Sequence, residues 1–174
     1  LLILARDLAE AALKRYGIDA NEVIAQTKGA HLEHLQLQHP FYARQVPMIL
    51  GEHVTTDAGT GMVHTAPAHG LDDYHVGMRY HLPTDNPVGN DGRFLANVEL
   101  FAGKSVWEAN PLVLETLEAN GVLLANEKLL HSYPHCWRHK TPIIFRATSQ
   151  WFVGMDHQNA SGKSLREQAN KAVE

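Results

Sequence analysis

Residues 57–74 read Asp-Ala-Gly-Thr-Gly-Met-Val-His-Thr-Ala-Pro-Ala-His-Gly-Leu-Asp-Asp-Tyr, the densest run of chemically capable residues in the chain. Asp57 to Gly61 predicts a turn, in which Gly59 and Gly61 let the backbone take a positive φ or approach a ligand closely. Met62 to Ala66 predicts a short strand leaving that turn and presenting His64. Asp72 to Tyr80 has helical spacing, with Asp72 and Asp73 in a first turn whose partial positive charge favours carboxylates. Taken alone, these residues fit a bland account: a helix start with acidic capping and a hydrogen-bonded histidine. Gly59-Thr60-Gly61 is not a dinucleotide fingerprint, because position 64 holds His where that motif needs Gly.

Outward from this run the chain alternates short strands with helices. Upstream, Leu1 to Leu4 reads as the tail of a buried strand. A helix is expected over Asp7 to Tyr16, with Leu8 and Ala12 on one side and Gly17 as its stop. Val23 to Thr27, Leu35 to Gln38 and Val46 to Leu50 read as strands, the last edged by Pro47. Downstream, Asn90-Asp91-Gly92 is a hairpin or turn signal. Ser105 and Glu108 form a capping box for a helix to about Asn120, closed by Gly121 and kinked or split at Pro111. Val122 to Leu124, Leu129 to Tyr133 and Ile143 to Thr148 read as strand. A last helix begins near Ser164 with Glu167 as its capping-box partner. The pattern implies a mixed α and β fold, a barrel-like β core of short strands with peripheral helices, not alternating βαβ units.

Bulk properties narrow the class. At 174 residues, with 44% hydrophobic and 20% charged residues, the chain suits one globular domain with or without a terminal extension. No apolar run approaches the roughly 20 residues of a membrane helix, and no signal peptide is visible. A single cysteine, Cys136, excludes an internal disulfide and fits a reducing, cytoplasmic location. The formal charge of −4 supplies no global field toward nucleic acid, so any RNA contact must be local.

Two segments carry a family resemblance. Gly59 to Pro67, followed by Asp72-Asp73-Tyr74, resembles the editing insertion of class I isoleucyl-tRNA synthetases. Far downstream, His131 to Phe152 (HSYPHCWRHKTPIIFRATSQWF) looks like the segment leading from that insertion back to the catalytic core. Asn86-Pro-Val-Gly89 and Asp91-Gly92 fit between them. Valyl and leucyl relatives share the Gly-Thr-Gly start but usually carry lysine or methionine at the position of His64, so the isoleucyl likeness rests on His64-Thr65-Ala66-Pro67. Ala68 and Leu71 depart from the pattern, standing where Gly and Pro are common.

The resemblance implies a deacylase that removes valine from the 3′ end of the isoleucine tRNA by water attack on the aminoacyl ester. It implies Asp73 as partner of the substrate ammonium and His64 as the group limiting the side-chain pocket, both counted as catalytic. Thr60, Thr65, Gly59 and Gly61 would contact substrate. It implies no cofactor or metal for editing; ATP and Mg belong to the parent's ligase reaction and bind outside this chain. Residues 1–152 would be the editing domain, truncated at its start, and 153–174 a helical extension. The parent's threonine-rich pocket wall would lie upstream of Leu1, so the isolated chain is expected to fold but to deacylate weakly. The remainder of the synthetase and the tRNA end are the implied partners, with no membrane.

Other readings compete. His64, His69, Asp73 and His75 cluster within 12 positions, which suggests a metal-dependent hydrolase, although the spacing matches no zinc-hydrolase signature. Cys136 and His139, with His131 and His135 nearby, resemble half of a zinc site, and a full structural site wants four ligands. Arg138, Lys140 and Arg146 form a local basic patch suited to phosphates or to a solvated surface. A pure RNA-binding module would need a broader basic face.

Overall fold

The computed structural model describes residues 1–173. Four helices appear: α1 (Arg6–Arg15), α2 (Leu71–Arg79), α3 (Val106–Ala119) and α4 (Leu165–Val173), with one 3-10 turn at Gly29–Leu32. Two strands, β1 (Gln36–Gln38) and β2 (Gln45–Pro47), pair antiparallel with Leu37 opposite Val46. Isolated antiparallel bridges join Val88 to Phe94, Arg93 to Ser105 and His135 to Pro142. The fold is mixed α and β. Residues 1–4, 23–27, 62–66, 122–124, 129–133 and 143–148, all expected as strand, have no regular ladder. Short apolar runs there read as strand, but a strand also needs a hydrogen-bonded neighbour.

The helices follow the sequence closely. In α1, Asp7 lies in the first turn and Lys14 and Arg15 in the last, complementing the helix dipole, while Leu8 and Ala12 are buried. In α3, Ser105 Oγ accepts the Glu108 N–H at 3.2 Å and Glu108 Oε2 accepts the Ser105 N–H at 2.8 Å. Those bonds, the backbone one first, hold the Glu108 carboxyl below its ordinary range. Pro111 does not split α3. It lies early in the helix, where its missing N–H removes a single bond to the carbonyl of Trp107. Ser164 and Glu167 make the same reciprocal cap at α4.

The small core gathers Leu8, Ala12, Met48, Ala68, Val76, Val88, Phe101 and Ala109. Tyr80, just past α2, donates to Glu33 Oε1 at 2.5 Å and accepts the Leu50 N–H at 3.2 Å, tying the hairpin region to that helix. The total accessible surface is 14132 Å². A compact monomer of this mass would expose roughly 8,500 Å². Much apolar surface is therefore uncovered, with Leu130, Trp151, Phe152 and Val153 prominent. Among the described residues, no helix is long and apolar enough to cross a membrane.

Candidate active site around Asp73 and the 59–69 loop

The 59–69 loop is pinned at three places. At its start, the Ala5 N–H donates to the Thr60 carbonyl at 2.8 Å, seating the turn on the N-terminus of α1. Gly59 and Gly61 have φ of +79° and +78°. A Cβ at Gly61 would stand 2.5 Å from that of Ala5, so this position is closed to side chains by both dihedral and space. The Thr60 hydroxyl is used locally, accepting the Met62 N–H and donating to the Met62 carbonyl, both at 3.1 Å. Its expected substrate contact therefore competes with a turn that it already stabilises.

At its middle, the loop is held by the residue the sequence singled out. Asp73 Oδ2 accepts the Ala66 N–H at 3.1 Å, while Oδ1 accepts no hydrogen bond among the described residues. Gly70 makes room for this, because a Cβ there would meet Oδ2 at 2.9 Å. Gly77 does the same one turn along α2, where a Cβ would stand 2.7 Å from Pro67 Cγ. Asp73 is half-buried and Asp72 exposed. Asp72, His75 and Arg79 instead line a separate cavity of about 160 Å³ with Glu52 and His53.

At its end, the loop meets the 143–148 segment. The Ala147 N–H donates to the Ala68 carbonyl at 2.7 Å, and His69 Nδ1 lies 2.9 Å from the Phe145 carbonyl. Asn86 Nδ2 donates to the Ala147 carbonyl at 2.8 Å. The first departure from the family pattern, Ala68, is buried at this junction, and the second, Leu71, opens α2 in solvent.

His64 is exposed. Burial first, then Arg44, then His64 keep the His39 imidazole below the ordinary histidine value. His39 Nδ1 accepts the N–H groups of Tyr42 at 3.0 Å and Phe41 at 3.3 Å, which fixes the neutral ring with its proton on Nε2. Sequence reasoning missed His39. The only signal was a histidine before Pro40 at a strand end, and nothing local points it toward His64.

The metal-hydrolase cluster is not assembled. His69 turns to Phe145, Asp73 to Ala66, and His75 lies on the Asp72 and Arg79 face of α2. Among the described residues no three His, Cys, Asp or Glu side chains converge. Cys136 Sγ and His139 Nδ1 lie 3.4 Å apart in a turn where Lys140 has φ of 57°, but His131 and His135 each engage a neighbouring backbone carbonyl.

Comparison with known proteins decides the family. Residues 7–125, more than half of the chain, match the family described as leucyl-tRNA synthetase, editing domain. The chain belongs to this editing-domain family. It is 67% identical to an isoleucine–tRNA ligase of Thiobacillus denitrificans, with the whole chain matching 20% of that protein. It is 62% identical to the isoleucine–tRNA ligase of Chromobacterium violaceum and 59% identical to that of a serogroup B Neisseria meningitidis, each over 99% of the chain and 19% of the relative. The editing-domain chain thus spans about a fifth of the length of the ligases it matches.

Proposed function

We propose that this domain hydrolyses valine esterified to the 3′-terminal adenosine of the isoleucine tRNA, within a synthetase that joins isoleucine to that tRNA. Isoleucine and valine differ by one methylene. A hydrophobic pocket extracts only about 1–3 kcal/mol from that difference, a general figure for which this pair is itself the standard illustration. A second, smaller pocket clears what the first fails to reject. The high identity to isoleucine–tRNA ligases supports this substrate over the leucyl one.

The observation that carries the reading is the divided carboxylate of Asp73. Oδ2 fixes the Ala66 amide, and Oδ1 remains open for a substrate ammonium. Such a charge-assisted bond orients the ester beside the loop. Water attacks the carbonyl carbon, the bond to the 3′ oxygen breaks, and that oxygen takes the proton. His64 limits the side-chain space, Thr65 offers a hydroxyl, and Gly59 and Gly61 let the backbone near the terminal adenosine. This hydrolysis needs no cofactor; ATP and Mg serve the ligase reaction outside this chain. The function belongs with translation in the cytoplasm. A barrel-like core is part of the same reading. The exposed Leu130, Trp151, Phe152 and Val153 suit packing against the rest of the synthetase.

The test supplies valyl- and isoleucyl-tRNA(Ile) to the synthetase carrying this domain, with and without chelator. Valine release that survives chelation and disappears in Asp73→Asn is expected. Hydrolysis abolished by chelation would favour the metal-dependent alternative.

A further inference from the structure

The three members of the basic patch have different surroundings, and Arg146 is singled out by its own. Arg138 lies over the Trp137 ring, 5.0 Å from its centroid, and Lys140 is exposed at the left-handed position of the 136–141 turn. Arg146 is different. It is only partly exposed, and its neighbours on both sides are fixed to the candidate site: the Phe145 carbonyl faces His69 Nδ1, and the Ala147 N–H bonds the Ala68 carbonyl. Its Nη1 donates to Asn90 Oδ1 at 2.9 Å. Its Nε–H is sealed from solvent with no acceptor among the described residues.

A half-buried guanidinium normally finds a carboxylate, since desolvating an unpaired charge is unfavourable. The ion pairs of the described residues are Arg15 with Glu127, Arg93 with Glu108 and Arg166 with Asp156, and Arg146 is in none of them. This lone cation sits in a domain of net charge −4, so it is not part of a general basic surface. Among the described residues Nη2 has no hydrogen-bond partner and, unlike Nε, is not among the sealed polar atoms. The Nη1 and Nη2 hydrogens not used on Asn90 form the outer end of the planar fork and can meet a phosphate, while the sealed Nε takes no part.

We propose that Arg146 is a phosphate-binding residue that holds a backbone phosphodiester of the RNA strand whose 3′ end enters the 59–69 loop. The identity of the strand rests on the deacylase reading above; the phosphate chemistry rests on Arg146 alone. Asn90 sets the guanidinium plane, and the phosphate accepts from Nη2, the donor that has no partner among the described residues. The contact fixes how far the strand reaches toward Asp73.

The test measures binding of a fluorescent 12-nucleotide RNA ending in CCA to the full chain, to Arg146→Gln and to Arg146→Lys, from low to moderate salt. Arg146→Gln is expected to bind about tenfold more weakly, and its slope of log K against log salt to shrink by roughly 0.7, one contact's worth on a single strand. Arg146→Lys should keep that slope. An RNA with methylphosphonate links next to its 3′ end should erase the difference between the unaltered chain and Arg146→Gln. Urea midpoints of the variants separate a folding defect from a binding one. Equal RNA affinity in Arg146→Gln, no RNA binding by the unaltered chain, or equal competition by inorganic phosphate in all three proteins would overturn the proposal. Hydrolysis of 3′-O-valyl-adenosine, which has no phosphate, by the synthetase carrying this domain reports the deacylase reading separately. Its absence alongside Arg146-dependent RNA binding would sink that reading and leave this one standing.

Discussion

Asp73 and Ala66 are joined by a 3.1 Å hydrogen bond from the Ala66 amide to Oδ2, so the carboxylate that starts α2 also fixes the loop in front of it. Two substitutions divide these duties. Asp73→Asn keeps an acceptor for the Ala66 N–H and removes the charge; Asp73→Ala removes both. Both should slow valyl-tRNA hydrolysis in the synthetase, by about 2–5 kcal/mol of lost charge contact or roughly 30-fold and more. Isoleucine activation should stay intact. Only Asp73→Ala should speed hydrogen exchange at the Ala66 amide. Near-normal editing by both variants would remove Asp73 from the chemistry.

Gly59 and Gly61 share a left-handed backbone and differ in their surroundings. An alanine at either position meets a strain of about 1–2 kcal/mol. At Gly59 the new methyl points into open space, whereas at Gly61 it collides with Ala5. Gly61→Ala should therefore lower the urea midpoint clearly more than Gly59→Ala, and should also break the Ala5 to Thr60 bond that seats the turn on α1. Equal losses at the two sites would mean that the turn does not pack on α1 as described.

What was legible in the sequence was local. Caps, helix faces and turn glycines are decided within a few residues, and Ser105, Glu108, Ser164, Glu167, Leu8 and Ala12 behave as their spacing requires. Asp73 was legible by resemblance, but its bond to Ala66 was not, since seven positions of separation carry no periodic signal. The segments 62–66 and 143–148 read as strand but carry no ladder, because a short apolar run reports an extended or buried stretch and not its pairing partner. His39 was invisible because its relation to His64 spans 25 positions and depends on how the hairpin folds back.

His39 makes stability depend on pH in a defined direction. Burial, Arg44 and His64, in that order, place its folded value below the ordinary one. Between the depressed value and about 6.5 the unfolded chain binds more protons, so stability rises with pH there. It is fully present above that window and is lost as pH falls through the folded value. In an NMR titration, Arg44→Gln should raise the His39 midpoint more than His64→Ala does. His39→Gln should flatten the dependence of the urea midpoint within the same window. An unchanged slope in that variant would assign the effect to other groups.

His64 gives the sharpest test of specificity. The ring is exposed on the loop, so the space beside it is open. If that space receives the amino-acid side chain, the His64 ring is what the extra methylene of isoleucine would strike. Exclusion of this kind works through a clash with the wrong ligand, not through better contacts to the right one. His64→Ala should then leave valyl-tRNA hydrolysis largely intact and open the site to isoleucyl-tRNA(Ile), which the unaltered enzyme is expected to spare. Because the ring is exposed and makes no hydrogen bond among the described residues, the urea midpoint should hardly move. The measurement is the ratio of hydrolysis rates on the two charged tRNAs, taken with and without the substitution. A variant that loses valine clearance while still sparing isoleucine would make His64 a part of the hydrolytic apparatus instead of its gauge.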